Sequence, residues 1–549
     1  MERLFPPFAK RERQFLWALS LVAILCAGIP LLVGVLRLPP EKVFIGFGET
    51  ARNDNGIYLS YIEQARTSGH VFFANVFAAE PHTQSFFQPL WAVIGLLSWV
   101  FHLAPALVFH IVRLASIPLL VLAIYRFTGL LLPTVRGRIV ATTLGVFGSG
   151  VGLYFLPFVQ QLPTIFSPGA NLMPADITMP QFTVFQSIAH SPLFILTLAL
   201  LVFLVTLAMR DEESPGQVPR SVFFAGTLLL ALLHPYDAVI LIACVCGVSL
   251  LRFFREPVYR TSGWKQSIVR LEMLCLAATA ALAYFVSALL LDHSILGWAQ
   301  QNVTPSPSLL VVCISYGVYI PLWLWQGWKH RDIFQKAKAI FLLWPAIALV
   351  LSYSPTQVQS RFLNGLSIVL AVVVGLAVEP VWQWAQRQRV PLALWLTTGG
   401  MVFAGVLCPS TWFTVVEPLV GGSVPGTLRE VYQFDRATLD AMHWLRQQAP
   451  GLTLSADTTS FVLSSQTLRS TYISDGSQTP NHAEKFQALR VAFPGSRSAN
   501  TAKAFFQENH IRYLFWTEQE KQFFAAFSPQ DYPWLHLIFQ NQTTEIYAL

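Results

Sequence analysis

"QFLWALSLVAILCAGIPLLVGVLR", residues 14–37, decides the fold class. It is uncharged until Arg37, and roughly 20 apolar residues are enough to cross a bilayer. It follows Lys10, Arg11 and Arg13 and ends at Arg37 and Pro39–Pro40 without a small-residue cleavage site. It therefore reads as a retained anchor with a cytoplasmic N-terminus and not as a cleaved signal peptide. Similar apolar runs recur at 106–126, 139–156, 191–209, 236–251, 271–291, 309–327, 339–353, 362–378 and 391–408, with weaker ones at 86–104 and 221–234. Only 12% of the 549 residues are charged and 54% are hydrophobic, whereas a soluble domain carries about 25% charge. The expected class is an all-α polytopic membrane bundle of about 10–12 transmembrane helices, followed by a small C-terminal α/β domain.

Basic residues set the orientation, because short loops rich in Lys and Arg stay cytoplasmic. Placing Arg126–Arg138, Arg210–Arg220, Arg252–Arg270, Lys329–Lys338 and Arg387–Arg389 inside leaves outer loops at 38–85, 157–190, 292–308 and 353–361. The net charge of +7 is thus distributed as membrane topology and not as a nucleic-acid patch. The run 86–104 cannot then be a single full crossing; it is expected to be irregular, re-entrant or interfacial. The six cysteines all fall in apolar runs without metal-like spacing, so neither a disulfide framework nor a zinc site is expected. Residues 1–408 read as the membrane module, 409–426 as a linker and 427–549 as an extracytoplasmic α/β domain. Within the last, helices are expected at 437–448, 480–490 and 500–509, and strands at 452–456, 470–474, 513–517, 536–540 and 545–549. No Gly-rich phosphate loop opens any of those helices, which leaves nucleotide binding without support.

Chemistry is sought among ionisable groups kept at membrane depth or at the outer mouth, where they are expensive. "NDNGIYLSYIEQARTSGHVFFAN", residues 53–75, is the most polar stretch of the first outer loop, which also holds Glu49, Glu80 and His82. Asn55–Arg66 has helical spacing, with Tyr58, Tyr61, Ile62 and Ala65 on one side, and is expected to lie flat at the interface with its tyrosines at headgroup level. Asp54 just before it reads as an N-cap, as a functional carboxylate, or as both. The second outer loop carries one carboxylate, Asp176, readable as a turn residue or as a partner of Asp54 around a hard divalent cation. In "LHPYDAV", residues 233–239, Asp237 reads first as a helix cap beside His234 and Tyr236. Arg361 reads equally as a phosphate-binding guanidinium or as a snorkelling side chain. His110 and Arg113, inside an apolar run, serve either a buried polar network or a ligand.

The order of these parts, with "YLSYIEQARTSG" at 58–69 followed by "EPHTQSFFQPLW" at 80–91 and a polytopic bundle, resembles the GT-C superfold of membrane glycosyltransferases. Within it the likeness is to bacterial proteins of the dolichyl-phosphate-mannose mannosyltransferase and lipid A aminoarabinose transferase kind. The resemblance implies transfer of a sugar from a polyprenyl-phosphate carrier on the outer face, with Asp54 as general base or metal ligand and Glu49 as second choice. Asp176 matches the acid of the second loop, and with Asp54 it would hold magnesium or manganese. Arg361, His234 and Tyr58 are the side chains expected around the donor. The sequence departs from the family at Asn53 and Asn55, which replace a second acid, at Gln88-Pro89-Leu90 and at Gln181. The implied partners are membrane lipids, the lipid-linked sugar and a glycan, lipid or protein acceptor, in a bacterial inner membrane with the C-terminal domain outside. Two other readings stay open: an inactive scaffold with a binding domain, and a lipid or solute transporter.

Overall fold

The computed structural model describes residues 7–47, 52–81, 83–158, 173–260, 264–420, 434–474, 476–493, 499–524 and 527–549. The chain forms two compact units. The first comprises residues 1–32, 110–283 and 304–423, and the second 33–109, 284–303 and 424–549. Three long helices, α1 (Lys10–Leu36), α4 (Pro105–Leu131) and Trp264–Leu291, pass from one unit into the other.

The first unit is a helical bundle, and the chain is a multi-pass integral membrane protein. Every strong apolar run of the sequence is helical. Among the described residues seven helices are long and apolar enough to cross a membrane, or nine if each of two bent pairs crosses as one. This is fewer than expected, because several runs break. Leu309–Tyr316 and Tyr319–Lys329 meet at 82°, at Gly317, whose φ of 50° belongs to the left-handed region that glycine tolerates best. The run at 339–353 becomes Ile340–Ser352, only 13 residues. The core is close-packed aromatic and aliphatic: Phe127 lies against Phe341 and Trp344 with ring centroids 4.9 and 5.8 Å apart. Trp17, Leu21 and Leu25 of α1 remain exposed, as a lipid-facing surface requires. Residues 409–420, expected as linker, are helical.

The second unit joins residues 33–109 to the C-terminal residues. Its strands are β1 (Lys42–Val43), β2 (Phe72–Phe73), β3 (Phe86–Phe87), β4 (Phe434–Asp435), β5 (Leu452–Leu454), β6 (Ile511–Trp516), β7 (His536–Gln540) and β8 (Glu545–Ala548). A four-stranded sheet runs in the order β5-β6-β8-β7, with β5 parallel to β6 and the other pairs antiparallel. Leu454, Ile473, Phe506, Leu514 and Trp516 form its core. Of the expected strands, 470–474 reduces to a single bridge from Thr471 to Thr453. A helix at Asp457–Thr467 was not expected, since "DTTSFVLSSQT" is poor in helix formers. Burial of Phe461, Val462 and Leu463 overrides that weak propensity.

The loop is built into this layer. β1 pairs with β4, and β2 with β3, each antiparallel. The loop helix α2 (Arg52–Ser68) presents Gly56 to Phe461 so closely that a Cβ there would lie 2.3 Å from the ring. Phe461 in turn stacks on Phe77, with centroids 5.3 Å apart. Asn75 donates to the Gln478 carbonyl at 2.9 Å and Thr479 donates to the Phe77 carbonyl at 2.9 Å. After the loop comes α3 (Pro89–Val100), whose 12 residues measure about 18 Å against about 30 Å of hydrocarbon. The run 86–104 therefore contains no full crossing.

Candidate active site

In the second unit, α2 starts at Arg52, earlier than its sequence pattern indicates, so Asp54 sits inside the first turn and not before it. A carboxylate there faces the positive end of the helix dipole, and Asp54 is half-buried. Its neighbour Asn55 is fully buried, and neither amide atom has a hydrogen-bond partner among the described residues. A lone buried amide of this kind costs about 1–3 kcal/mol, and a single sequence carries no signal that would reveal it. Glu49 and His82 lie outside the described residues.

The flat interfacial helix with tyrosines at headgroup level is not what forms. α2 is buried almost all round, including Ile57, Leu59, Tyr61, Ile62 and Ala65. Tyr61 is held between Phe73 and Phe86 at 5.1 and 5.4 Å, because the β2–β3 ribbon closes over it. Tyr58 stacks on Trp91 at 4.3 Å. Protein, not lipid, takes up the apolar face of α2.

In the first unit, Asp176 lies in the short helix Ala175–Thr178 and is 1% exposed. Its Oδ2 accepts the Gly152 N–H at 3.3 Å, while Oδ1 has no partner in hydrogen-bonding geometry. Burial pushes the carboxyl up to about 6, and the Ser410 hydroxyl and the Gly152 N–H offset only part of that rise. A Cβ at position 152 would lie 2.1 Å from Oδ1, so only glycine leaves room for this acid. Asp176 is thus neither an exposed turn residue nor a fully satisfied one. Nearby, Gln181 donates to the Ser360 hydroxyl at 3.0 Å and ties the second loop to the 3-10 turn Gln359–Leu363.

That turn carries Arg361. Asp237, fully buried, accepts from Asn364 at 3.0 and 3.1 Å and lies 3.1 Å from His234 Nδ1. It does not cap its helix, as the sequence reading has it, because it is engaged by Asn364 and the Pro235–Arg255 helix has no side-chain cap. The Arg361 guanidinium lies over the Tyr236 ring, 5.3 Å from its centroid. It is half-buried, with no hydrogen-bond or ion-pair partner for its side chain among the described residues, and its Nε is shielded from water. Such a planar fork without an acceptor suits a phosphate. Arg113, by contrast, is used up: it donates to the Ile188 and Ala27 carbonyls at 2.8 and 3.3 Å and to His110 at 3.3 Å. His110 and Arg113 thus make a buried network that ties α1 and α4 to the second loop.

Asp54 and Asp176 fall in different units. Among the described residues no three His, Cys, Asp or Glu side chains cluster as a metal would require, so they do not by themselves make a ligand set for a divalent cation.

No protein-family model matches the sequence, and no curated protein matches it. Solved structures do match in fold. The archaeal oligosaccharyltransferase AglB from Archaeoglobus fulgidus, in complex with an inhibitory peptide and a dolichol-phosphate, aligns over 98% of this chain and 75% of its own, with a TM-score of 0.57 and 12% identity. The arabinofuranosyltransferase AftD from Mycobacteria aligns over 98% of this chain and 41% of its own, with a TM-score of 0.53 and 13% identity. The fold is that of the GT-C membrane glycosyltransferases. ArnT from Cupriavidus metallidurans bound to undecaprenyl phosphate aligns over 96% of this chain and 97% of its own, with a TM-score of 0.48 and 11% identity. This protein carries an acid in the first turn of its first-loop helix and, at one end of its bundle, a guanidinium without a hydrogen-bond or ion-pair partner among the described residues.

Proposed function

We propose that the chain is an inverting glycosyltransferase that moves a sugar from a polyprenyl-phosphate carrier to a glycan, lipid or protein acceptor. The reaction is assigned to the extracytoplasmic face of a bacterial inner membrane, with residues 427–549 on that side. The observation that carries this reading is Arg361, a half-buried guanidinium without a hydrogen-bond or ion-pair partner among the described residues, in a chain with the GT-C fold. A half-buried guanidinium with an open fork is completed by an anion from outside the chain, and the donor phosphate is such an anion.

In this scheme the acceptor nucleophile attacks the anomeric carbon while the bond from that carbon to the phosphate oxygen breaks. The phosphate leaves with the bonding electron pair, its added charge held by Arg361, with His234 beside it. Asp54 takes the proton from the acceptor, a role typically contributing about 10²–10⁴-fold. Glu49 is the alternative base, and Tyr58 a side chain beside the donor. Asp54 or Asp176, each within its own unit, would supply a carboxylate to a magnesium or manganese ion, which when bound would neutralise phosphate charge.

The test is transfer of labelled sugar from a polyprenyl-phosphate donor in membranes containing the full chain, with and without added magnesium or manganese. Asp54→Asn should abolish transfer while leaving insertion and the folded state intact; undiminished transfer would remove Asp54 as the base. A single cysteine at Ser68 should react with an impermeant reagent from the outer side, and reaction only from the cytoplasm would reverse the assigned face.

A further inference from the structure

A pocket of about 750 Å³ lies wholly within the second unit, walled by α2, by the segment leading into α4, and by the helices Arg436–Arg446 and Asp457–Thr467. That volume suits a small molecule or a headgroup. Its lining is divided in character: Glu63, Arg66, His443 and Arg446 are polar, while Leu59, Pro105 and Leu439 are apolar. Charge on the polar side does not balance. Glu63 accepts from Arg66 at 2.7 and 2.8 Å, and its Oε1 accepts two further bonds from Arg446 at 3.0 Å. One carboxylate thus answers two guanidiniums, and one positive charge is left over. Both arginine side chains remain about one-third exposed, at 36% and 35%. Arg66 Nη1 and Arg446 Nε have no acceptor among the described residues.

The pocket also has an apolar border. Ala104, Pro105 and Ala106 line it where the chain passes from α3 into α4, and α4 is long and apolar enough to cross a membrane. Around this corner Trp99, Phe101, Leu103 and Leu107 are all exposed. Unmatched cationic charge beside a cluster of exposed apolar side chains at a helix entering the bilayer is the composition of a lipid–water boundary site.

We propose that this pocket binds an anionic phospholipid of the surrounding bilayer. Its phosphate would sit between Arg66 and Arg446, and its apolar part against Leu59, Pro105 and Leu439. This site is separate from the transfer reaction assigned to Asp54 and does not depend on it.

The test is native mass spectrometry of the full chain in a neutral detergent with dioctanoyl-phosphatidylglycerol, dioctanoyl-phosphatidylcholine or inorganic phosphate. The phosphatidylglycerol should be retained at least tenfold more strongly than the phosphatidylcholine. Arg446→Gln should lower that retention about tenfold, whereas Glu63→Gln, which removes the competing carboxylate, should raise it severalfold. Both substitutions break the same ion pair, so a purely structural pair would move retention in one direction for both. Leu439→Trp fills the pocket without touching the ion pair and should block binding even if Arg446→Gln fails to fold. Equal retention of the two lipids, unchanged retention in Leu439→Trp, or parallel changes in Arg446→Gln and Glu63→Gln would each overturn the proposal. Inorganic phosphate displacing the lipid at equal concentration would overturn its amphiphilic part. Asp54→Asn should bind the lipid as the unaltered protein does, so loss of transfer and loss of lipid can be told apart.

Discussion

The helices Pro192–Glu213 and Pro235–Arg255 run through the bundle together, and their two ends treat charge in opposite ways. At the Glu213 and Arg255 end the buried acids are fully answered. Asp211 pairs with Arg270 at 2.5 Å and accepts the Gly216 N–H at 3.0 Å. Glu212 accepts from Arg252 at 3.1 Å, Tyr259 at 2.6 Å and Ser249 at 2.6 Å, and also from Arg270. At the Pro192 and Pro235 end Asp237 is held by Asn364, yet Arg361 has no hydrogen-bond or ion-pair partner among the described residues, and neither has Oδ1 of Asp176 in the loop leading to Pro192. Burying charge without a partner is expensive. A bundle that answers every buried acid at one end and leaves Asp176 Oδ1 and the Arg361 fork open at the other keeps that second end for something outside the chain.

Four substitutions probe this contrast. Glu212→Ala strips the closed end of its shared acceptor and leaves Arg252 and Arg270 buried without it. The expected loss is about 3–5 kcal/mol, visible as a collapse of the thermal midpoint in detergent; a small shift would mean that the network is not holding the end together. Asp176→Asn should act with the opposite sign and only at high pH. The carboxyl is raised from 3.8 to about 6, so the charged form is the disfavoured one in the native state. The native protein is therefore fully favoured by this group below pH 3.8 and loses that contribution as pH rises through 6. The asparagine variant lacks that loss. The two proteins should melt together near pH 4, and the variant should be more stable at pH 8 by about 3 kcal/mol; identical midpoints at both pH values would contradict the burial of a lone acid.

Arg361→Gln should lower transfer about 100-fold, while unfolding changes by no more than about 1 kcal/mol, since only the stacking of the guanidinium on Tyr236 is lost. A large destabilisation with unchanged transfer would move Arg361 to the structural side of the comparison. Gln181→Ala is the mildest change, removing one bond to Ser360. It should cost about 1 kcal/mol and reduce transfer only slightly, read by the same melt and transfer assays.

The helices of this fold are legible because each is written locally, as an apolar run of the right length. What escapes is anything that depends on distant pairing. The breaks at Gly317 and after Cys408 shorten the count of crossings, and a bend does not alter hydropathy. Tyr58 and Tyr61 look interfacial along one helix, and only the ribbon and α3 turn them inward. Asp54, Asp176, Arg361 and His234 stand out as ionisable groups in polar loops, but their partners do not. Arg446 meets Glu63 from 383 residues away, and no periodicity announces it. The closeness of Gly152 to Asp176 is equally silent, since glycines stand in apolar runs wherever two helices pack closely or a chain bends.

The seat of Gly56 against Phe461 has a temporal meaning. A ribosome adding roughly 5–20 residues each second delivers Phe461 and Gln478 only after nearly the whole bundle has been threaded into the membrane. Until then Gly56 has no ring to rest against and Asn75 no Gln478 carbonyl to hold. The acid-bearing loop is accordingly among the last parts to settle, so the nascent chain passes through its insertion with Asp54 not yet in place.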